Sequence, residues 1–136
     1  MANSTTVQIL EEGPRNAVIK VTGVLDTSDV AVTTLLAMAT IDQTNTGKTP
    51  TAVRIDDIDY SISGQLTVGL DWHATTNVTA VTLAGSQRML TERYGGIQNN
   101  AGSGKDGAID IWTKGYASGT QTFTLIIKLV KIGTDL

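Results

Sequence analysis

The 136-residue sequence contains no cysteine, one histidine, two prolines and one phenylalanine. Without cysteine there are no disulfides, no thiolate metal sites and no cysteine nucleophile. A single histidine excludes histidine-rich metal sites. Charged residues make up only 17%, below the roughly 25% of ordinary soluble domains. The net charge of −3 and a pI near 4.9 argue against nucleic acid or an anionic membrane as the main partner. No apolar run reaches membrane-spanning length: the best stretch is broken by Thr33, Thr34, Thr40 and Asp42. The opening Met1-Ala2-Asn3-Ser4-Thr5-Thr6 has neither a basic nor an apolar region, so no signal peptide is expected and the chain is expected to be made in a cytoplasm.

What is abundant is threonine, with 22 residues, and glycine, with 14. Threonine is β-branched and suits exposed strand faces. Strands are expected over Thr5 to Leu10, Arg15 to Leu25, Val30 to Ile41, Ala52 to Ser63, Leu66 to Trp72, Asn77 to Ala84, Ala108 to Trp112 and Gln121 to Ile132. Gly23 marks a bulge or a close backbone approach. The apolar parity switches at Asp56-Asp57, which calls for an extra residue in that strand. Ser63-Gly64-Gln65 reads as a hairpin turn, and Asp42 to Pro50 as a polar loop. Residues 85 to 107, rich in glycine, read as a long irregular loop with at most a short strand near Met89-Leu90. The last strand is apolar on both faces, which implies a central strand or one covered by a partner chain. About eight strands and no convincing helix indicate a single all-β domain, an antiparallel β-sandwich of jelly-roll or other Greek-key type, with a short N-terminal arm over residues 1–6.

Few residues suggest chemistry. Asp56, Asp57, Asp59 and Asp71 are the only clustered carboxylates; their spacing matches no calcium loop, and a solvated face is the simpler reading. His73 has no Gly-x-Ser-x-Gly partner segment and reads as a surface or interface residue. Gly102-Ser103-Gly104-Lys105-Asp106-Gly107 fails as a phosphate loop, since Asp106 follows the lysine and Asn99 stands where a glycine is required. Trp72, Trp112, Tyr60, Tyr94 and Tyr116 would serve a sugar site only if several share one surface. No catalytic residue, cofactor or metal site is expected, and the chain reads as a non-enzyme. Low charge and threonine-rich strands offer little defence against edge pairing, which favours an assembly component.

The order of landmarks resembles small virion proteins of tailed bacteriophages. The segments concerned are Leu10-Glu11-Glu12-Gly13-Pro14-Arg15-Asn16-Ala17-Val18, Ile55-Asp56-Asp57-Ile58-Asp59-Tyr60-Ser61, Val68-Gly69-Leu70-Asp71-Trp72-His73-Ala74-Thr75, Gly95-Gly96-Ile97-Gln98-Asn99-Asn100-Ala101-Gly102 and Thr122-Phe123-Thr124-Leu125-Ile126-Ile127-Lys128. The resemblance spans most of the chain and implies a capsid decoration, or cement, protein on the outer surface of the virion. Its partner would be the major capsid protein, and the chain would act as a homo-oligomer, a dimer or trimer. The alternatives are a neck, tail or head-fibre component and a carbohydrate-binding β-sandwich module. The expected contacts with capsid or sister subunits are Asn3, Thr5 and Thr6 in the arm, Lys48 in the polar loop, Tyr94, Asn99, Asn100 and Lys105 in the glycine-rich loop, and Ile126 and Val130 on the last strand.

Overall fold

The computed structural model describes residues 3–13, 15–37, 41 and 50–132. Among the described residues nine strands form two sheets, and every pairing is antiparallel. They are β1 (Ser4–Glu12), β2 (Asn16–Leu25), β3 (Thr33–Leu36), β4 (Ala52–Ile62), β5 (Thr67–Trp72), β6 (Val78–Leu83), β7 (Ser86–Leu90), β8 (Ile109–Lys114) and β9 (Gln121–Ile132). A one-turn 3-10 helix, Thr91–Tyr94, follows β7. The first sheet runs β1-β2-β9-β4-β7 and the second β3-β8-β5-β6. The chain is an all-β sandwich. Among the described residues no helix is long and apolar enough to cross a membrane.

Alternation builds the core. In β2 the residues Ala17, Ile19, Val21 and Leu25 are buried, while Val18, Lys20, Thr22 and Val24 between them are half-buried. Facing them across the sandwich, β5 contributes Val68, Leu70 and Trp72. Gly23 lies opposite Phe123, and the aromatic ring rests on its backbone: a Cβ there would sit 2.2 Å from the ring. The parity switch expected at Asp56-Asp57 is a bulge between Ile55 and Asp57 in the β4–β9 ladder. β9 is the central strand of its sheet, hydrogen-bonded to β2 and β4, and its outer-face Ile126 and Val130 are half-buried.

Three expectations are corrected. Ser63-Gly64-Gln65 is a tight turn, with the Leu66 amide bonded to the Ser63 carbonyl at 3.3 Å, but it is not a hairpin. β4 and β5 belong to different sheets, so this turn carries the chain across the core. Of the strand expected over Val30 to Ile41, Thr33–Leu36 is strand and Val30 to Val32 are not, while Met38 to Thr40 lie outside the described residues. Upstream, Val30 is held by Thr113, whose hydroxyl accepts from the Val30 amide at 2.8 Å and whose amide donates to its carbonyl at 3.1 Å. A side-chain bond thus stands where a ladder bond would continue the strand. The arm also shrinks: Thr5 and Thr6 lie inside β1, opposite Gly23 and Thr22. The short strand expected near Met89-Leu90 is β7, Ser86–Leu90, and the irregular chain follows it.

Candidate interaction surface

The irregular part, residues 95–108, is fastened to one end of the sandwich. Ile97 exchanges backbone bonds of 2.8 and 3.0 Å with Ile55. The Thr91 hydroxyl donates to the Ile55 carbonyl at 2.7 Å. Farther on, the Thr75 amide donates to the Ser103 carbonyl at 3.1 Å, and the His73 amide to the Ala108 carbonyl at 3.0 Å. Asn99 and Asp106 each bond a backbone amide two residues ahead, Ala101 and Ala108, which shapes the turns without a ladder. Ala101 is buried and anchors the middle. Gly96, at φ +81°, has no room for a side chain, because a Cβ would meet Arg54 and Asp56. A sequence of glycines and asparagines therefore gives a shaped surface.

This end of the sandwich gathers several of the expected contacts. Tyr94 is 86% exposed, and Asn100 and Lys105 are also exposed. Asn99 and Lys105 share a cleft of about 430 Å³ with Thr51, Ala52, Gln98 and Ile132. Asn3 lies at the opposite end. Its side-chain oxygen accepts from the Asp26 and Thr27 amides at 2.9 and 3.1 Å, and its nitrogen donates to the Ser28 carbonyl at 2.8 Å. Asn3 thus ties β1 to the turn after β2. Thr5 and Thr6 are exposed along the sheet edge. Ile126 and Val130 are half-buried on the outer face of β9, between Lys20 and Asp59 and between Asn16 and Arg54 respectively. Lys48 lies outside the described residues.

The carboxylate cluster expected from sequence separates in space. Asp56 pairs with Arg54 at 2.7 Å; Asp57 and Asp59 pair with Arg88 of β7 at 2.9 and 3.2 Å. Asp71 is in the other sheet, where it accepts a 2.8 Å bond from the Trp112 indole. Among the described residues no group of three or more His, Asp or Glu is placed to hold a metal ion.

A polar network missed by sequence reasoning joins the same end of the molecule. Asp110, directly opposite Asp71 in the β5–β8 ladder, is buried. Its Oδ2 bonds His73 Nδ1 at 2.8 Å and accepts from the Asn77 amide group at 2.8 Å. Asn77 in turn accepts from the Ala74 amide at 3.1 Å. The network locks the β5–β6 turn to the start of β8. It was unreadable in sequence because Asp110 is far along the chain from His73 and joins it only through strand pairing. Among the described residues no hydroxyl bonds the imidazole.

The Asp110 hydrogen bond, then its charge, raises the His73 pKa above the usual 6.5; the charge of Asp106 adds to this, and partial desolvation opposes it. Because the folded value lies above the unfolded one, the pair's stabilisation is fully present below about pH 6.5 and is lost as pH rises through the folded value. With one imidazole in the chain, a proton NMR titration reads this group alone. It is expected to titrate above 6.5, and Asp110→Asn is expected to bring the midpoint down. A midpoint at or below 6.5 in the unsubstituted chain would remove the ion pair from the account.

The aromatic side chains do not share a surface. Trp72 and Phe123 are buried, and Tyr60 lies against β7, its hydroxyl 3.4 Å from Gln87. Tyr116 folds its hydroxyl onto the Gly119 carbonyl at 2.6 Å. Trp112 lies on Gly69 on the outer face of the four-stranded sheet, with Lys114 Nζ 5.5 Å from its ring centre. Tyr94 stands apart at the end of the five-stranded sheet. No protein-family model and no curated protein matches the chain.

Proposed function

We propose that the chain is a structural virion protein of a tailed phage, of the capsid decoration type, which binds the lattice of the major capsid protein and stabilises the shell. The observation that carries this reading is the fastened surface at residues 94–108. It holds exposed Tyr94, Asn100 and Lys105 on a scaffold bonded to both sheets. A preformed polar surface with one large aromatic loses little conformational entropy on docking, which suits binding. The sequence resemblance to small phage virion proteins supplies the partner. The chain acts on the capsid's outer surface as a small homo-oligomer.

A cement protein favours the shell because it binds the assembled lattice and not the free subunit. At a free concentration of a hundred times Kd, each occupied site is stabilised by about 2.7 kcal/mol. Calorimetry of undecorated shells with and without the protein is the test. The shell transition is expected to rise, and Tyr94→Ala with Lys105→Ala is expected to abolish most of the rise while leaving the protein's own melting unchanged. A shell transition that does not move at saturating protein would turn the reading toward a neck, tail or fibre component.

A further inference from the structure

Among the described residues the sandwich has four outer strands, and three are guarded. β3 is only four residues long. β6 is broken by a register shift opposite Leu70 and Asp71. β7 is five residues long and carries Arg88, ion-paired to Asp57 and Asp59. Short length, bulges and charge are the usual means of blocking edge-to-edge pairing. β1 differs. It is nine residues long, pairs only with β2 among the described strands, and carries no charge and no proline from Ser4 to Leu10. Its inward side chains Val7 and Ile9 pack on the core but are only half-buried, and Leu10, displaced where the register shifts, is 47% exposed.

The same side of the molecule continues this apolar character in the second sheet. β6 and β7 are joined through Ala84 and Gly85 alone, so their edges adjoin, and β1 and β3 share the other side. There Val32 is 55% exposed.

A row of unpaired backbone amides and carbonyls is matched by another extended strand. We propose that this strand is β1 of a second copy, paired antiparallel about a two-fold axis at Val7. Three observations select that arrangement. Opposed residues in an antiparallel ladder share a face, so a continuous two-molecule core requires the numbers of opposed residues to sum to an even value. The uncharged run Ser4 to Leu10 is centred on Val7. Centred there, Val7 meets the partner's Val7 and Thr5 meets the partner's Ile9 on the core face, while Thr6 meets the partner's Gln8 on the outer face. Glu11 falls beyond the paired run, so no like charges oppose each other. The stretch Thr5 to Ile9 is regular in its pairing with β2, so both molecules present an even ladder at the axis. The row Val7–Val21–Leu125–Tyr60 then runs through the axis into the second molecule as one layer. A two-fold contact is closed and adds no further copies, which makes a defined dimer from an otherwise open edge.

The absence of cysteine gives a clean test. Thr6 and Gln8 are exposed, so cysteine at either position leaves the core intact. In the proposed register the two positions face each other across the axis, within the reach of a disulfide. The chain is expected to sediment as a dimer. Mixed Thr6→Cys and Gln8→Cys chains are expected to oxidise to a covalent heterodimer, while each variant alone does not cross-link. The double variant Thr6→Lys with Gln8→Lys puts lysines opposite each other twice; its dimer is expected to weaken at least tenfold with the monomer's melting unchanged. A monomer at all concentrations overturns the proposal. So does a dimer that cross-links through Ser86→Cys on β7, or one in which either single variant links to itself, which would place the axis elsewhere. None of these outcomes bears on shell binding itself: a monomer that still raises the shell transition would leave the docking surface standing and remove only the homo-oligomer from the proposed function.

Discussion

Gly23→Val is expected to destabilise the protein by about 3 kcal/mol or more, the largest single effect on the fold. A Cβ at Gly23 would lie 2.2 Å from two atoms of the Phe123 ring. Phe123 is buried, with β2 and β4 on either side and the second sheet behind it, so the ring has nowhere to withdraw. Valine would gain strand propensity over glycine, an effect of about 1 kcal/mol at most. The clash is larger and decides the sign. Against a total stability of roughly 5–15 kcal/mol, the loss lowers the melting temperature by about 10 °C. The diagnostic is the double variant. Phe123→Leu alone leaves a cavity and costs about 1–3 kcal/mol. Combined with Gly23→Val, the smaller side chain accommodates the new methyls, and the pair is expected to be less destabilised than the sum of its members. Additive losses in thermal or denaturant unfolding would mean that the ring does not rest on Gly23.

Gly69→Val tests the same device where the aromatic can move. A Cβ at Gly69 would lie 2.0 Å from the Trp112 indole. Trp112 is on the outer face and half-exposed, so it can lift off. Lifting breaks its 2.8 Å bond to Asp71, a buried carboxylate that faces buried Asp110 across the ladder. The loss of a hydrogen bond to a charged group is worth about 1.5–3 kcal/mol. Gly69→Val is therefore expected to cost about 2 kcal/mol, less than Gly23→Val, and to shift the tryptophan emission to longer wavelength. Trp72, fully buried, is the unshifted reference in the same spectrum. In a Trp112→Phe background the spectral shift should vanish. An emission that shifts equally without Trp112 would contradict this placement of the indole.

The two glycines show how far the sequence is readable. Gly23, inside a strongly alternating strand, signals a close approach, and β2 bears that out with Phe123. The parity switch at Asp56-Asp57 likewise announces the bulge in β4. Leu66 to Trp72 alternates without interruption because one face packs in the core and the other is the outer face, where Gly69 lies under Trp112 and Asp71 is buried. The turn at Ser63-Gly64-Gln65 misleads because a tight turn has the same local chemistry whether the next strand pairs with the last or crosses the core. Only the sandwich decides that, and with it the separation of Asp71 from Asp57 and Asp59. The polar network at Asp110 is hidden for the same reason: its members are brought together by the β5–β8 ladder. The surface at residues 94–108 is half legible. Its glycines and asparagines mark irregular chain, but the bonds from Ile55, Thr75 and His73 that shape it are long-range.

The central claim is that this surface docks on an assembled phage shell. The most direct measurement is a count of bound copies on undecorated shells, compact and expanded, after sedimentation with increasing protein. Saturation at a fixed number of copies per capsomer, in the hundreds per particle and reduced by Tyr94→Ala with Lys105→Ala, is the predicted result. Binding that never saturates, stops at a few copies per particle, or is unaffected by those substitutions would contradict it.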